Sequence, residues 1–232
     1  MYHNYDEGAN FLLKTMHFIL SKIKNQIRKI PRLVPFILLY SRFFMRRGTK
    51  YLSIFSYTNL AERETLYNLA RNLKDGSVIV EVGSHLGATS CMLALGNKNN
   101  KIFCVDPWKN ETMPEGLRDT FPEFKHNTKD FSNITPLRGT SEDVVKTFNE
   151  KIDFLFIDGD HSYEAVKKDV FNWLPKCKEN AIIAFHDVGP VGSIEYGVNK
   201  VIQEYIKPIE KKVVASLTNL YVVQISSSKF KA

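Results

Sequence analysis

The stretch IDGDHSYEAV places two acids and a histidine directly after an apolar, strand-like run. Asp158, Asp160 and His161 fall within four positions, where a solvated turn would need only one Asp or Gly. Carboxylate oxygens are ligands for divalent cations, and histidine is the side chain whose charge changes near neutral pH. These residue types at this spacing predict a metal site with a general base beside it.

A second stretch, AIIAFHDVGP, ends in a similar way on His186 and Asp187. Parallel strands lie about 4.8 Å apart in a sheet, so Asp158 and Asp187 at neighbouring strand ends can share one ion. Oxygen ligands favour Mg²⁺, whereas the imidazole of His186 would favour Mn²⁺ or Fe²⁺. If His186 does not bind the ion, the ligands are Asp158, Asp160 and Asp187. In the alternative interpretation the acids cap turns and His186 is an ordinary buried histidine.

Apolar runs alternate with helical stretches from Asn59 onward, which predicts an α/β fold with a parallel sheet covered on both faces. Asn59 and Glu62 form a capping-box pattern at the start of a helix. The strand-like runs are residues 78–82, 102–105, 134–137, 154–157 and 181–185. Two last runs, 213–217 and 220–225, are joined by two residues, so they are predicted to pair as an antiparallel hairpin.

The segment VIVEVGSHLGATS has the pattern of a nucleotide-type pocket. Gly83 permits a tight turn and a close approach of a ligand to the backbone, and a helix starting near Gly87 offers free N–H groups. The spacing matches neither the dinucleotide-binding nor the P-loop fingerprint, so a purely structural turn is the alternative. Asp106 ends the second strand 23 positions after Gly83, where an acid reaches a ribose diol in such folds.

Other residues can face the same crevice. Thr140 and Ser141 in RGTSED can approach an adenine edge beside the third strand. Trp108 can stack on the ribose or adenine, with plain core packing as the alternative.

Five motifs, VEVGSHLGATS, VDPW, RGTSED, FIDGDHSYE and FHDVGP, resemble in order and spacing those of class I S-adenosylmethionine-dependent methyltransferases. Within that class the chain is most similar to metal-dependent O-methyltransferases related to macrocin O-methyltransferase. The chain resembles catechol O-methyltransferase more distantly. The resemblance covers residues 58–226 and implies a doubly wound, mostly parallel, Rossmann-like sheet of seven strands whose last strand is antiparallel.

The resemblance also implies roles for individual residues. The metal ligands match Asp158, His186 and Asp187, although the family has an acidic or amide pair where this chain has His-Asp. His161 matches the general base. The expected reaction is methyl transfer to a hydroxyl of a saccharide or other small molecule. The residues expected to bind S-adenosylmethionine are Glu81, Gly83, Ser84, Gly87, Asp106, Trp108, Thr140 and Ser141.

Charge and cysteine content restrict the other function classes. The net charge is +7, but residues 1–50 carry +8 and the remaining 182 residues carry −1. The basic character therefore belongs to the N-terminal part, and a nucleic-acid-binding face is not expected. The three cysteines are odd in number and lie in apolar contexts, which predicts reduced core thiols and a cytoplasmic protein.

Residues 1–57 are predicted to form a basic amphipathic helical arm, and residues 58–232 the methyltransferase domain. Apolar residues between Leu12 and Ile30 repeat at helical spacing. The apolar run 33–40 is far shorter than the roughly 20 residues that cross a bilayer. The arm is expected either to pack on the domain or a second copy of the chain, or to contact an anionic membrane peripherally.

Two other functions remain open at the level of sequence. An NAD-dependent oxidoreductase uses a related fold, although the incomplete glycine fingerprint argues against it. A non-catalytic, membrane-associated scaffold could also retain the fold, because a fold does not guarantee an activity.

Overall fold

The computed structural model describes residues 49–109, 117–189 and 197–230. The chain divides into two compact units, residues 1–53 and 54–232. In the first unit the described part is the short helix α1, Thr49–Leu52. The predicted amphipathic helix of the arm lies outside the described residues. Across the described ranges, no helix combines the length and the apolar character that a membrane span requires.

In the described part of the second unit, seven strands form one sheet in the order β3-β2-β1-β4-β5-β7-β6. Strands β1 to β5 run parallel, and β7 runs antiparallel to both β5 and β6. The predicted sheet and its terminal hairpin are confirmed. The strands are β1 Val78–Val82, β2 Lys101–Asp106, β3 Ile134–Arg138, β4 Ile152–Ile157, β5 Cys177–His186, β6 Glu210–Ser216 and β7 Leu220–Ile225.

Helices flank the sheet and follow the strands in the alternating order that the sequence predicts. The helix that precedes β1 begins with the expected capping box, because Asn59 accepts from the Glu62 N–H while the Glu62 side chain accepts from the Asn59 N–H. The helices are α2 Leu60–Asn72, α3 Ala88–Gly96, α4 Phe121–Thr128, α5 Ser141–Thr147, α6 Tyr163–Trp173 and α7 Val198–Val201. A π-helical turn, Ile202–Ile206, continues α7.

Strand β5 begins earlier than predicted. It starts at Cys177 rather than at residue 181, and its pairing with β4 shifts register between Ile152 and Phe154. Asn180 lies at this irregularity with a φ of +66°. The exposed polar residues 178–180 interrupt the apolar pattern of the sequence. They still belong to the strand, because a bulge rather than a loop accommodates them.

The central strands of the sheet are buried on both faces, whereas the edge strands β3 and β6 are more exposed. Val80 and Val82 of β1 pack into one apolar cluster, whereas Ile79 packs into a second cluster. All five residues of β1 are buried, as expected for a central parallel strand covered on both sides. The three cysteines are free and buried, as predicted. This core fixes the carboxyl ends of β1, β4 and β5, where the candidate site lies.

Candidate functional site

The carboxyl ends of β4 and β5 bring Asp158, His186 and Asp187 together. One potential ligand atom from each residue lies within 4.8 Å of the other two. The Nδ1 atom of His186 is 3.0 Å from Asp158 Oδ1 and 3.3 Å from Asp187 Oδ1. Asp160 is exposed, and its Oδ1 accepts from the Ser162 N–H instead. Of the two ligand sets left open by the sequence, the geometry favours the one that contains His186.

The electrostatics of this cluster centre on His186, whose side chain is 2% exposed. Burial alone would lower the pKa of His186, but the carboxylates of Asp158, Asp187 and Glu62 raise it to about 12. Burial raises the pKa of Asp158. Burial also acts to raise the pKa of Asp187, but hydrogen bonding and charge from His186 and the charge of His161 bring it below its ordinary value. The three carboxylates therefore concentrate negative charge around one position that favours a cation.

The surroundings of the Nδ1 atom of His186 indicate whether these residues can bind a metal. It is buried and, among the described residues, has no hydrogen bond of good geometry, although two carboxylate oxygens lie close to it. An imidazole nitrogen and two carboxylate oxygens that face one another form a donor set suited to a divalent cation. The residues present fit the metal expected from the sequence.

Asp187 has an unfavourable backbone conformation. Its φ is +56°, in the left-handed region. That conformation costs a non-glycine residue about 1–2 kcal/mol, although Asp tolerates it better than most. Backbone strain of this kind is common at functional sites.

His161 lies at the edge of the cluster, just before α6. Its Nδ1 is 3.9 Å from Asp187 Oδ2, and its side chain is 51% exposed. This distance is too long for a direct hydrogen bond but brings the imidazole beside the same carboxylate that faces His186. The structure therefore brings the predicted base and the predicted ligands to one place.

Glu62 is a member of the cluster that sequence reasoning missed, because the capping box seemed to account for it. Its Oε2 lies 3.2 Å from Nε2 of His186, 124 positions away in the chain. A clue was present in the sequence, since Glu62 shares the helical stripe of Leu66 and Leu69, which is buried. An acid on a buried stripe requires a partner.

The glycine-rich loop after β1 runs directly against this cluster. Gly83 has a φ of +88°, and a Cβ at this position would overlap the carbonyl oxygen of Asp158. Its N–H donates to the carbonyl of Val105 at 2.9 Å. Gly87, with a φ of +84°, is the N-cap of α3. The predicted cofactor loop and the predicted metal ligands are therefore neighbours.

Asp106 organises the loop. Its Oδ2 accepts from the N–H groups of Ser84 and His85 at 3.0 and 2.8 Å, and its Oδ1 accepts from the Trp108 N–H at 2.6 Å. Most of the carboxylate is therefore engaged with backbone, and contact with a ribose stays a prediction. Ser84 is buried, and its Oγ has no hydrogen-bond partner among the described residues.

Glu81 is fully buried beneath the loop. It accepts hydrogen bonds from the hydroxyls of Thr89, at 2.5 Å, and Ser90. Burial is the main cause that raises the pKa of Glu81 to about 7. These hydrogen bonds connect Glu81 to side chains of α3, and its expected contact with S-adenosylmethionine stays a prediction.

Trp108 packs in the core. Its side chain is 1% exposed, its ring centroid lies 4.8 Å from Phe121 and 4.6 Å from Phe124, and its Nε1 donates to the His85 carbonyl at 2.7 Å. Little of the ring is accessible, and stacking on a cofactor stays a prediction. The packing alternative agrees with the geometry.

The side chains of Thr140 and Ser141 serve local structure. Thr140 is the N-cap of α5 and accepts from the Asp143 N–H. The Ser141 hydroxyl donates to Asp169 and accepts from Trp173 Nε1 at 2.7 Å. The Ser141 hydroxyl is directed towards α6, and the approach of Thr140 and Ser141 to an adenine edge stays a prediction.

Asp169 should make stability depend on pH. It is 7% exposed, and burial is the main cause that raises its pKa to about 6. An acid with a raised folded-state pKa binds more protons in the folded than in the unfolded protein between the two pKa values. The free energy of unfolding therefore falls as pH rises through that window.

Asp169→Asn is expected to remove this slope. Relative to the variant, the wild-type protein should lose about 1 kcal/mol of unfolding free energy between pH 5 and pH 8. Urea unfolding of both proteins at the two pH values measures the difference. Parallel pH profiles would show that Asp169 titrates normally in the folded protein.

Comparisons with known proteins relate the chain to methyltransferases. Residues 80–188 match the model of a family described as Methyltransferase domain. The uncharacterized protein y4gI of Sinorhizobium fredii is 30% identical over 116 residues, which make up 47% of this chain and only 13% of that protein. The matched family segment contains every predicted site residue, whereas Glu62 precedes it.

Solved structures share the fold. A protein from Corynebacterium glutamicum has a TM-score of 0.60 at 18% identity, over 83% of this chain and 97% of that one. An O-methyltransferase from Bacillus cereus in complex with SAH has a TM-score of 0.57 at 15% identity, over 81% of this chain and 90% of that one. The fold agrees with that of Rossmann-like methyltransferases, and residues 80–188 match a methyltransferase domain.

Proposed function

We propose that this protein is a divalent-metal-assisted O-methyltransferase that uses S-adenosylmethionine to methylate a hydroxyl of a saccharide or other small molecule. One observation carries the proposal. Three potential ligand atoms of Asp158, His186 and Asp187 converge within 4.8 Å of one another, directly beside the glycine loop of a methyltransferase fold. A methyl donor and an activated hydroxyl would meet at this edge of the sheet.

Asp158, His186 and Asp187 would hold the cation, and Mg²⁺ or Mn²⁺ suits their oxygen-rich donor set. A bound dication supplies positive charge that makes an acceptor hydroxyl more acidic. The lack of a Cβ on Gly83 lets the loop turn tightly against the backbone of Asp158, which would keep S-adenosylmethionine beside the metal ligands. The protein would thus align the two reactants, which contributes to the rate independently of acid–base chemistry.

His161 would take the proton from the acceptor hydroxyl. Asp187 lies on the Nδ1 side of its ring, at 3.9 Å, and a carboxylate there favours the tautomer with a proton on Nδ1. Nε2 is then the atom that can accept a proton. Asp187 lies next to His161 and is also a candidate metal ligand. The base would therefore be held close to the cation that orients the hydroxyl.

The acceptor would be a molecule with a ring. The exposed side chains of Phe55 and Tyr57 lie beside the loop residue His85, and the Tyr57 ring stacks on the His85 ring at 6.2 Å between centroids. Aromatic faces of this kind pack against sugar or aromatic rings. Incubation with labelled S-adenosylmethionine, Mg²⁺ or Mn²⁺, and a panel of glycans, polyketides and catechols tests the activity.

His161→Ala is expected to lower turnover by about 10²–10⁴-fold, the usual contribution of a general base. Binding of S-adenosylmethionine, measured by calorimetry, should be unchanged because His161 is not expected to contact the cofactor. His126→Ala is the matched control, since His126 is an exposed histidine on α4. Equal turnover in the two variants would remove His161 from the mechanism.

A further inference from the structure

Glu62 connects the N-terminal turn of α2 to the cluster of candidate metal ligands, Asp158, His186 and Asp187, at the ends of β4 and β5. Its side chain is 1% exposed, and the His186 side chain that it contacts is 2% exposed. The two residues bring an acid and an imidazole together in the interior, at 3.2 Å between Oε2 and Nε2. This contact joins α2 to the cluster through a charged side chain.

The position of the Glu62 carboxylate is fixed from the other side. Its Oε2 accepts from the Asn59 N–H at 2.8 Å, and its Oε1 accepts from Asn59 Nδ2 at 2.6 Å. Both carboxylate oxygens are therefore held by one residue at the helix N-terminus. The carboxylate cannot turn away from His186 without breaking the capping box.

Helix capping alone does not explain this burial. A capping-box glutamate functions equally well at the protein surface, where its charge stays hydrated. Burial of a carboxylate is costly unless charged or hydrogen-bonding partners compensate for it. His186 is the buried partner that provides this compensation.

The contact also determines which nitrogen of His186 can bind a metal. An ionised carboxylate only accepts hydrogen bonds, so Nε2 must carry a proton to bond to Glu62. Nδ1 is then the nitrogen at which a metal would displace the remaining proton and accept the lone pair. This is the atom that faces Asp158 and Asp187 without a hydrogen bond of good geometry in the described part of the chain.

We infer that Glu62 is a positioning residue that holds His186 with Nδ1 directed at the metal, as the outer member of a carboxylate–histidine–metal triad. This inference rests on the proposed function, because it requires the metal. The inference also specifies the metal, since a site with one imidazole and two carboxylates favours Mn²⁺ over Mg²⁺ more strongly than an all-oxygen site does.

Glu62→Gln tests the inference with little change in shape. The amide can donate to Nε2, so the alternative tautomer with a proton on Nδ1 becomes available and competes with the metal. Loss of an outer-shell partner typically weakens metal affinity 10–100-fold. We expect the Kd for Mn²⁺, measured on the full chain by the electron paramagnetic resonance of free Mn²⁺, to rise by about that factor. Glu64→Gln, on the same helix, is the matched control and should leave the Kd unchanged.

The outcomes separate the inference from the proposed function. If the wild-type protein binds Mn²⁺ and Glu62→Gln binds it equally well, the role of Glu62 is overturned while the metal site stands. If the wild-type protein does not bind Mn²⁺, both are overturned. Nitrogen NMR of the wild-type protein saturated with Mg²⁺ provides a test that needs no variant. We expect a proton on Nε2 of His186 and none on Nδ1, and the opposite pattern would contradict the inference.

Discussion

Replacing Asp158 with alanine is expected to lower methyl transfer by about 10³-fold, because charge stabilisation by a metal contributes several kcal/mol to the transition state. Asp158 supplies an oxygen 3.0 Å from the Nδ1 of His186, so its loss removes one of three candidate ligands. Turnover with labelled S-adenosylmethionine measures the effect on catalysis. Electron paramagnetic resonance of Mn²⁺ measures the effect on binding without any acceptor.

Asp160→Ala is the matched control for this change. Asp160 has the same side chain two positions later, but it is exposed and its Oδ1 accepts from the Ser162 N–H. The control should retain Mn²⁺ binding and turnover, with at most a small loss of stability from the broken turn. If Asp160→Ala lost the metal and Asp158→Ala kept it, the ligand set would be wrong.

Replacing Gly83 with alanine is expected to damage the loop and the metal site together. Alanine at a φ of +88° is strained, and its Cβ would overlap the backbone of Asp158 and Gly159. Left-handed strain costs about 1–2 kcal/mol and overpacking about 1–3 kcal/mol. The free energy of unfolding should therefore fall by about 2–5 kcal/mol, and calorimetry should show little binding of S-adenosylmethionine.

Gly76→Ala separates the effect of backbone strain from the effect of steric overlap. Gly76 has a similar φ of +79°, but a Cβ there meets no atom within 4 Å. This control should lose only the strain energy, about 1–2 kcal/mol, and should bind S-adenosylmethionine normally. Urea unfolding compares both variants with the wild-type protein. An equal loss for the two glycines would mean that the backbone near Asp158 relaxes around the added methyl group.

The strands were largely predictable because apolar runs bounded by turn residues are local patterns. The predicted bounds of β1 and β7 agree with the structure, and the short connection before β7 correctly indicates a hairpin. The start of β5 was missed because a bulge places polar residues inside a strand. A local pattern cannot distinguish such a bulge from a loop, since both expose polar side chains.

The cofactor side chains were less predictable than the strand ends that carry them. Trp108 and Ser141 lie near the expected loops, but their polar atoms bond to the His85 carbonyl and to Asp169 and Trp173. Position along a strand indicates which edge of the sheet a residue occupies. The direction of its side chain depends on helices that pack there later in the chain.

The sequence by itself determined the alternation of strands and helices, the hairpin, and the collection of acids and histidines at one edge of the sheet. These features follow from patterns within a few neighbouring residues, which set strand, helix and turn. Only the tertiary structure decided that His186 joins Asp158 and Asp187 while Asp160 faces away, and that Glu62 supports His186 from 124 positions earlier. Such contacts depend on how distant elements pack, because packing, and not local sequence, decides which buried polar groups become partners.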